Sequence, residues 1–201
     1  MKEDISRREF LKRTGAGAAA LGLAAAGCTS GKEQELPEGT GKMAFRTNPA
    51  TGDRVSLLGY GCMRWPMTTD GDGNEIIDQE QVNRLVDKAL ASGVNYYDIS
   101  PVYCQGLSEK ATAIALSGHP RESYFLATKL SNFSNWSREN SILMYRKSFE
   151  NLMTDYIDYY LLHSVGNGGS SQFDARYVDN GMIDFLMKER EAGRIRNLGF
   201  S

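Results

Sequence analysis

Cysteine is scarce in this chain, which has three in 201 residues. No two of them form a Cys-x-x-Cys pair, so no zinc or iron–sulfur site is visible in the sequence. Cys62 and Cys104 lie in the main body of the chain. A disulfide between them would need an oxidising compartment, and two unpaired buried thiols are the favoured interpretation.

The chain also lacks an excess of basic residues, with 23 Lys and Arg against 25 Asp and Glu. Residues 1–27 are net basic, which leaves the remainder mildly acidic. Nucleic-acid-binding proteins usually carry a basic patch or stripe. The charge pattern therefore argues against nucleic acid as a partner.

Two further absences concern membranes and dinucleotides. The weakly apolar run at residues 14–27 is too short to span a bilayer. No Gly-x-Gly-x-x-Gly follows the first predicted strand, which argues against a Rossmann domain.

Residues 1–28 resemble a bacterial twin-arginine export signal. Arg7 and Arg8 precede a Phe, a Leu and then a run of small residues. An Ala-Ala-Gly before Cys28 looks like a weakened lipoprotein cleavage box, so lipidation of Cys28 and simple cleavage nearby both stay open. The alternative is an exposed Ala-rich helix. A twin-arginine leader implies the export machinery as a partner and a periplasmic or lipid-anchored location.

The chain divides into three predicted segments. Residues 1–28 are the leader, and residues 29–42, rich in Gly, Glu, Lys and Pro, are typical of a flexible tether. Residues 43–201 contain enough apolar side chains for the core of one domain.

Apolar runs alternate with helical segments along this domain, which predicts repeated βα units and a parallel sheet. We expect strands over residues 57–64, 94–97, 123–128, 156–162 and 195–200. We expect helices over residues 78–93, 107–116, 137–153 and 177–192. Asp78 and Gly93 are the expected caps of the first helix. Turn residues at 48–53 predict a hairpin within residues 43–56.

Gly59 and Gly61 punctuate the first predicted strand. A glycine in a strand either lets a ligand approach the backbone closely or relieves crowding at a barrel wall. The sequence leaves both explanations open at these two positions.

The number of strands is small for a closed barrel. A (β/α)8 barrel takes about 250 residues, and residues 57–201 supply five predicted strands. The last strand reaches Ser201 with no helix after it. We therefore expect a barrel truncated after about five strands, as a fragment of a longer protein or a truncated product.

Polar side chains stand at the carboxyl ends of successive predicted strands. These residues are Asp98, Lys129, His163 and Ser201, and Tyr103 lies on the loop after the first of them. In a parallel barrel these strand ends share one face, where active sites are built. Packing alone is a poor explanation for ionisable groups of complementary type at successive strand ends.

These side chains together make a tunable proton donor. A Lys129 ammonium nearby would favour the phenolate of Tyr103 and make the phenol a better acid. Asp98 would keep Lys129 charged, and His163 could polarise or hold a substrate oxygen. Such a donor suits a reaction that develops negative charge on a carbonyl oxygen. None of these groups transfers a hydride, so reduction requires a nicotinamide.

The same stretches resemble motifs of the aldo-keto reductases. Residues 58–64 are similar to the glycine motif of their first strand, and residues 97–103 to their Asp-to-Tyr segment. Residues 106–109 resemble the Gly-x-Ser-Glu that opens their next helix. The lysine, histidine and serine strands are matched in order by residues 127–129, 159–163 and 199–201.

This resemblance implies an α/β fold of the (β/α)8 TIM-barrel type, with an N-terminal hairpin closing its bottom. It implies reduction of a small-molecule carbonyl with NADPH, or with NADH. The implied catalytic residues are Tyr103 as general acid, Asp98, Lys129 and His163. The implied cofactor-binding residues are Gly61, Cys62, Met63, Asp98 and Ser201, the last at the nicotinamide carboxamide.

Some features depart from the family pattern. Ile99 stands where the family prefers Thr or another small residue, and the Asn that usually follows the serine falls beyond Ser201. The segments that bind the adenosine phosphate are also absent, so NADPH over NADH rests on family habit. Some exported relatives carry a C-terminal ferredoxin-like domain with iron–sulfur clusters.

Two alternatives to a carbonyl reductase stay open. One is a nicotinamide-binding subunit that senses redox state or regulates a partner with little turnover. The other is an inactive truncated fragment, because an open sheet edge favours aggregation. The substrate, whether aldehyde, ketone or quinone, is not readable. Four loop residues line its pocket or are ordinary packing: Trp65, Met67, Phe133 and Trp136.

Overall fold

The computed structural model describes residues 42–201. The predicted leader, residues 1–28, and the predicted tether up to residue 41 lie outside the described residues. Within residues 42–201, no helix has the length and apolar character that crossing a membrane requires.

From residue 79 onward, helices alternate with the strands of the central sheet, as predicted. In chain order the strands are β1 (Phe45–Thr47), β2 (Arg54–Ser56), β3 (Tyr60–Gly61), β4 (Met67–Thr69), β5 (Glu75–Ile77), β6 (Tyr96–Asp98), β7 (Phe125–Leu130), β8 (Ile157–Leu162) and β9 (Ile195–Phe200). The helices are α1 (Gln79–Ala91), α2 (Ser108–Leu116), α3 (Arg138–Leu152), α4 (Gly169–Phe173) and α5 (Met182–Glu191). Short helical turns cover Cys62–Arg64, Tyr103–Gly106 and Arg121–Ser123, and a π-helical segment covers Asp174–Val178.

The centre of the domain is a five-stranded sheet in the order β3, β6, β7, β8, β9. Every neighbouring pair in it is parallel. Each successive strand therefore adds beside the one before it, and all carboxyl ends lie along one edge. This confirms the predicted α/β class with a parallel central sheet.

The core lies between this sheet and the helices packed on it, with α3 against β7 and α5 against β9. Its fully buried side chains are mainly aliphatic and aromatic, among them Val86, Tyr97, Leu126, Tyr160 and Leu186. Burial of each large apolar side chain stabilises the fold by about 1.5 to 3 kcal/mol. The core thus fixes where the strand ends lie.

The helix boundaries follow local capping chemistry. Asp78 caps α1, as predicted, by accepting a hydrogen bond from the Gln81 backbone N–H at 2.9 Å. Gly93 follows that helix with φ +87, a conformation that glycine adopts at little cost. Ser137 caps α3 in the same way as Asp78, through the Asn140 N–H.

β1 and β2 pair antiparallel, with the turn residues 48–53 between them. Asp53 in this turn accepts hydrogen bonds from the Tyr159 hydroxyl at 2.8 Å and from Asn197 Nδ2 at 3.2 Å. Tyr159 belongs to β8 and Asn197 to β9. The turn therefore packs against the central sheet.

The first strand of the sheet is much shorter than predicted. β3 spans two residues instead of the expected 57–64, and Leu57 and Leu58 before it are more than half exposed. Cys62 then begins a helical turn that buries its side chain completely. Glycine weakens the interior of a strand, so the two glycines here favour a short strand.

In the structure, each of these two glycines fits a different one of the two explanations. A Cβ on Gly59 would lie 3.2 Å from the Tyr96 ring, so crowding favours glycine at that position. A Cβ on Gly61 would meet nothing within 4 Å. Gly61 therefore borders open space at the strand end, where a ligand has room to approach.

The last predicted helix, residues 177–192, is wrong at its beginning. α5 begins at Met182, after Gly181 adopts a left-handed φ of +66 that cannot continue a right-handed helix. Tyr177 belongs instead to the π-helical segment, and α4 lies in the Gly- and Ser-rich stretch before it, where no helix was expected. The left-handed Gly181 therefore moves the beginning of the helix from the expected residue 177 to Met182.

A second hairpin, β4 with β5, was not predicted. Asp70 closes its turn by accepting hydrogen bonds from the Asp72 and Asn74 backbone N–H groups. Hydrogen bonds from Asn74 hold the pKa of Asp70 below its usual value. Each strand of this hairpin has three residues, and neither shows an alternation of apolar and polar side chains that would reveal it in the sequence.

Candidate active site

Strand register brings the predicted site residues to one edge of the sheet. Gly61 pairs with Asp98, which in turn pairs with Ala127 of β7. Lys129 pairs with Leu161, one position before the end of β8. Because all of these strands are parallel, Asp98 and Lys129 lie near the carboxyl ends, as the sequence indicated.

Asp98 and Lys129 form the central ion pair of this site. Lys129 Nζ lies 2.5 Å from Asp98 Oδ1 and donates a second hydrogen bond to the Ile99 carbonyl at 2.8 Å. The lysine is 3% exposed. A buried ammonium keeps its charge only with such partners, so Asp98 and the Ile99 carbonyl stabilise it.

Tyr103 lies directly beside this ammonium. Lys129 Nζ is 4.8 Å from the centroid of the Tyr103 ring, within the range of a cation–π contact. The Tyr103 hydroxyl makes no hydrogen bond to any of residues 42–201. The phenol and the ammonium are therefore in mutual range, with the hydroxyl free to meet a ligand.

The loop that carries Tyr103 has an unusual backbone. Cys104 and Gln105 have φ values of +48 and +57, and Gly106 follows at +90. Cys104 is a free thiol, as the sequence favoured. Its Sγ lies 3.3 Å from the Met63 carbonyl and 3.3 Å from the Trp65 N–H, which ties this loop to the segment after β3.

His163 follows β8 and completes the predicted set. Its ring centroid is 6.0 Å from that of Tyr103, with the two rings nearly perpendicular. Partial burial first, and then the charge of Lys129, lower the pKa of His163 to about 4. The imidazole is therefore neutral near pH 7, when one ring nitrogen donates and the other accepts a hydrogen bond.

Several residues that hold His163 were missed by sequence reasoning. Ser131 Oγ lies 2.6 Å from His163 Nδ1, and Ser100 Oγ lies 2.8 Å from Ser131 Oγ. The His163 carbonyl accepts hydrogen bonds from Arg176 Nη2 at 3.0 Å and from the Tyr177 hydroxyl at 3.1 Å. The one available signal was position, because Ser100 and Ser131 each lie two residues beyond a predicted site residue.

The predicted cofactor residues lie around the same edge, with different exposure. Met63 is more than half exposed, and Ser201 is exposed immediately after β9. Cys62 is wholly buried, and its burial raises the pKa of the thiol far above the usual value. The Cys62 side chain therefore packs in the core, and any contact from Cys62 to a cofactor would come from its backbone.

The four loop residues considered for the substrate pocket also differ in exposure. Trp65 is 4% exposed, and its Nε1 donates to the Thr112 hydroxyl at 3.0 Å, so it is a packing residue. Met67 begins β4. Phe133 and Trp136 are partly exposed, and the Phe133 ring centroid lies 4.9 Å from that of His163. Phe133 therefore borders the site, whereas Trp65 does not.

Comparison with known proteins identifies the family of this chain. The sequence pattern of the Aldo/keto reductase family matches residues 57–201. An aldo-keto reductase of Mycolicibacterium smegmatis is 32% identical over 145 residues, covering 68% of this chain and 50% of the relative. L-galactose dehydrogenase of Arabidopsis thaliana is 28% identical over 165 residues, covering 80% of this chain and 49% of the relative.

Solved structures show the same similarity. The holo form of aldo-keto reductase AKR11C1 from Bacillus halodurans superposes with a TM-score of 0.61 at 29% identity, covering 79% of this chain and 50% of that one. This chain thus spans about half the length of the curated relatives it matches. From the family match over residues 57–201, this chain belongs to the aldo/keto reductase family.

Proposed function

We propose that the protein reduces a small-molecule carbonyl, an aldehyde, ketone or quinone, with NADPH as hydride donor and Tyr103 as general acid. The observation that carries this proposal is the buried ammonium of Lys129, which contacts the Tyr103 ring and is held charged by Asp98. Membership of the aldo/keto reductase family supports the reaction class.

Proton transfer is the step that these side chains serve. As a carbonyl oxygen gains negative charge, the Tyr103 hydroxyl donates its proton to that oxygen. The phenolate left behind is stabilised by the Lys129 ammonium, and Asp98 offsets the cost of burying that ammonium. The site thus stabilises charge where the reaction creates it.

His163 contributes as a neutral donor in this proposal. Because its pKa is lowered to about 4, the ring carries no charge that would compete with Lys129 near pH 7. A neutral imidazole donates one hydrogen bond. We place that bond on the substrate oxygen, beside the Tyr103 hydroxyl.

A bound nicotinamide supplies the hydride that no side chain of the site can provide. The residues at this edge of the sheet fit such a group, because Gly61 borders open space and the Met63 and Ser201 side chains are exposed. The Ser201 hydroxyl can accept from or donate to a carboxamide. Gly61, Met63, Asp98 and Ser201 would hold the nicotinamide.

The test is Tyr103→Phe, assayed by loss of nicotinamide absorbance with a panel of aldehydes, ketones and quinones. Removing a general acid lowers turnover by about 10² to 10⁴-fold. NADPH binding, measured by titration of cofactor fluorescence, should be unchanged, because the phenyl ring stays in contact with Lys129.

The matched control is Tyr156→Phe, which removes a hydroxyl at the opposite, amino-terminal end of β8. It should keep parental turnover. If Tyr103→Phe reduces substrate as fast as the parent, Tyr103 is not the proton donor. Binding of NADPH without turnover in the parent would favour the regulatory subunit instead, and neither binding nor turnover would favour an inactive chain.

A further inference from the structure

A chain of three buried or partly buried side chains runs beneath the candidate active site. Ser100 and Ser131 are 0% and 2% exposed, and their hydroxyl oxygens lie 2.8 Å apart. Ser131 Oγ continues to His163 Nδ1 at 2.6 Å. His163 Nε2 makes no hydrogen bond to any of residues 42–201.

The direction of these hydrogen bonds follows from counting protons. Ser100 Oγ accepts from the Val102 backbone N–H at 3.4 Å, and its own proton has Ser131 Oγ as its one acceptor within residues 42–201. A buried hydroxyl group without a hydrogen-bond partner destabilises the fold. Ser100 therefore donates to Ser131.

Ser131 then has one proton and two acceptors within reach. The Lys129 carbonyl lies at 3.5 Å, which is long for an O–H···O hydrogen bond, whereas His163 Nδ1 lies at 2.6 Å. The shorter contact takes the proton. His163 Nδ1 is then an acceptor, and the imidazole proton is on Nε2.

We propose that Ser100 and Ser131 are positioning residues that hold His163 as the Nε2–H tautomer and so present a donor to the substrate oxygen. The backbone of His163 is held separately, because its carbonyl accepts from Arg176 and Tyr177. Side chain and backbone are thus fixed by different partners. The tautomer is independent of the reaction, while its use as a donor rests on the proposed carbonyl reduction.

The tautomer can be read directly by nitrogen-15 NMR of histidine-labelled chain. The sequence has two histidines, so His119→Asn leaves the His163 ring as the one imidazole observed. At neutral pH we expect the chemical shift of a protonated nitrogen at Nε2 and of an unprotonated nitrogen at Nδ1. Observation of the Nδ1–H tautomer would overturn the proposal.

Ser131→Ala tests the hydrogen bond from Ser131 to His163. Without the Ser131 proton, Nδ1 loses its donor, and we expect the two nitrogen shifts to move towards a mixture of tautomers. With a carbonyl substrate, kcat should fall by about tenfold, as for one lost hydrogen bond, with little change in KM. Unchanged shifts and an unchanged kcat would each reject the role of Ser131.

Two further variants separate positioning from folding. Ser131→Thr keeps the hydroxyl and should restore both the parental shifts and kcat, whereas a purely structural role would predict no rescue. Ser100→Ala removes the hydroxyl that is farther from His163. It should change the nitrogen shifts and kcat in the same direction as Ser131→Ala, but by less. If the parent shows the Nε2–H tautomer and Ser131→Ala disturbs it, but the parent reduces no carbonyl, the positioning role stands and the proposed reaction fails.

Discussion

At the scale of single residues, His163 lies in an environment that favours its neutral form. Partial burial and the nearby Lys129 ammonium both disfavour the imidazolium, and together they lower its pKa to about 4 from 6.5. Asp98 acts in the opposite direction but is outweighed. The neutral ring is therefore a property of the folded chain, and the unfolded chain has no such constraint.

This difference predicts a loss of stability in mild acid. Between pH 6.5 and about 4 the unfolded chain binds a proton at residue 163 and the folded chain does not, so the free energy of unfolding falls as the pH falls. His163→Gln removes this titration and should make the pH dependence shallower over that window. Urea unfolding at pH 7 and pH 4.5, in a His119→Asn background, measures it. If the free energy of unfolding changes equally with pH in the chains with and without His163→Gln, the lowered pKa of His163 is wrong.

At this scale the sequence predicted the site residues but not the residues that hold His163. Asp98, Tyr103 and Lys129 were predicted because each stands at or near a strand end, which local apolar runs reveal. Ser131 and Arg176 reach His163 only through contacts between different βα units. Such contacts depend on side-chain directions that no local pattern encodes.

At the scale of elements, several boundaries depend on residues in the left-handed conformation. Gly93 and Gly181 adopt it at little cost, but Met153, which ends α3, has a φ of +50 and is 59% exposed. A side chain at such a position costs about 1 to 2 kcal/mol. The end of α3 is therefore formed by a residue poorly suited to it.

Met153→Gly should stabilise the domain. Relief of the left-handed strain exceeds the extra conformational entropy of glycine in the unfolded chain, for a net gain of about 0.5 to 1 kcal/mol. Little packing is lost, because Met153 is mostly exposed. Leu143→Gly, at an exposed position inside the same helix, should instead destabilise by about 1 kcal/mol. Urea unfolding compares both with the parent, and destabilisation by Met153→Gly would refute the argument.

At the scale of the whole molecule, neighbouring strands are joined by a buried carboxylate. Asp158 of β8, 1% exposed, accepts hydrogen bonds from the Leu126 backbone of β7, from Arg121 and from Arg196 of β9. A buried carboxylate is stable only with such a complete set of donors. This network ties three strands together at the end opposite the Asp98–Lys129 pair.

The outer strands of the sheet predict self-association. β3 and β9 are the edge strands of the described sheet, and Phe200 on β9 is 74% exposed. An open apolar edge pairs with other chains, whereas a lysine on it opposes pairing. We expect size-exclusion chromatography with light scattering to show concentration-dependent association of the parent, and less of it for Phe200→Lys.

The control for this experiment is Leu143→Lys, which places the same charge at a 66% exposed apolar position on α3. It should associate like the parent, because no strand edge is altered. A parent that stays monomeric at all concentrations would show that the edge is not available for pairing.

The sequence by itself determined the order of the five central strands and of the main helices between them, and the residues that stand at the strand ends. Local apolar runs, caps and turns encode these features, and parallel pairing then forces successive strand ends to one edge. Only the tertiary structure decided that β3 has two residues, that Cys62 is buried, and that Ser100 and Ser131 reach His163. These depend on packing and hydrogen bonds between residues far apart in the chain, which are set when the sheet assembles.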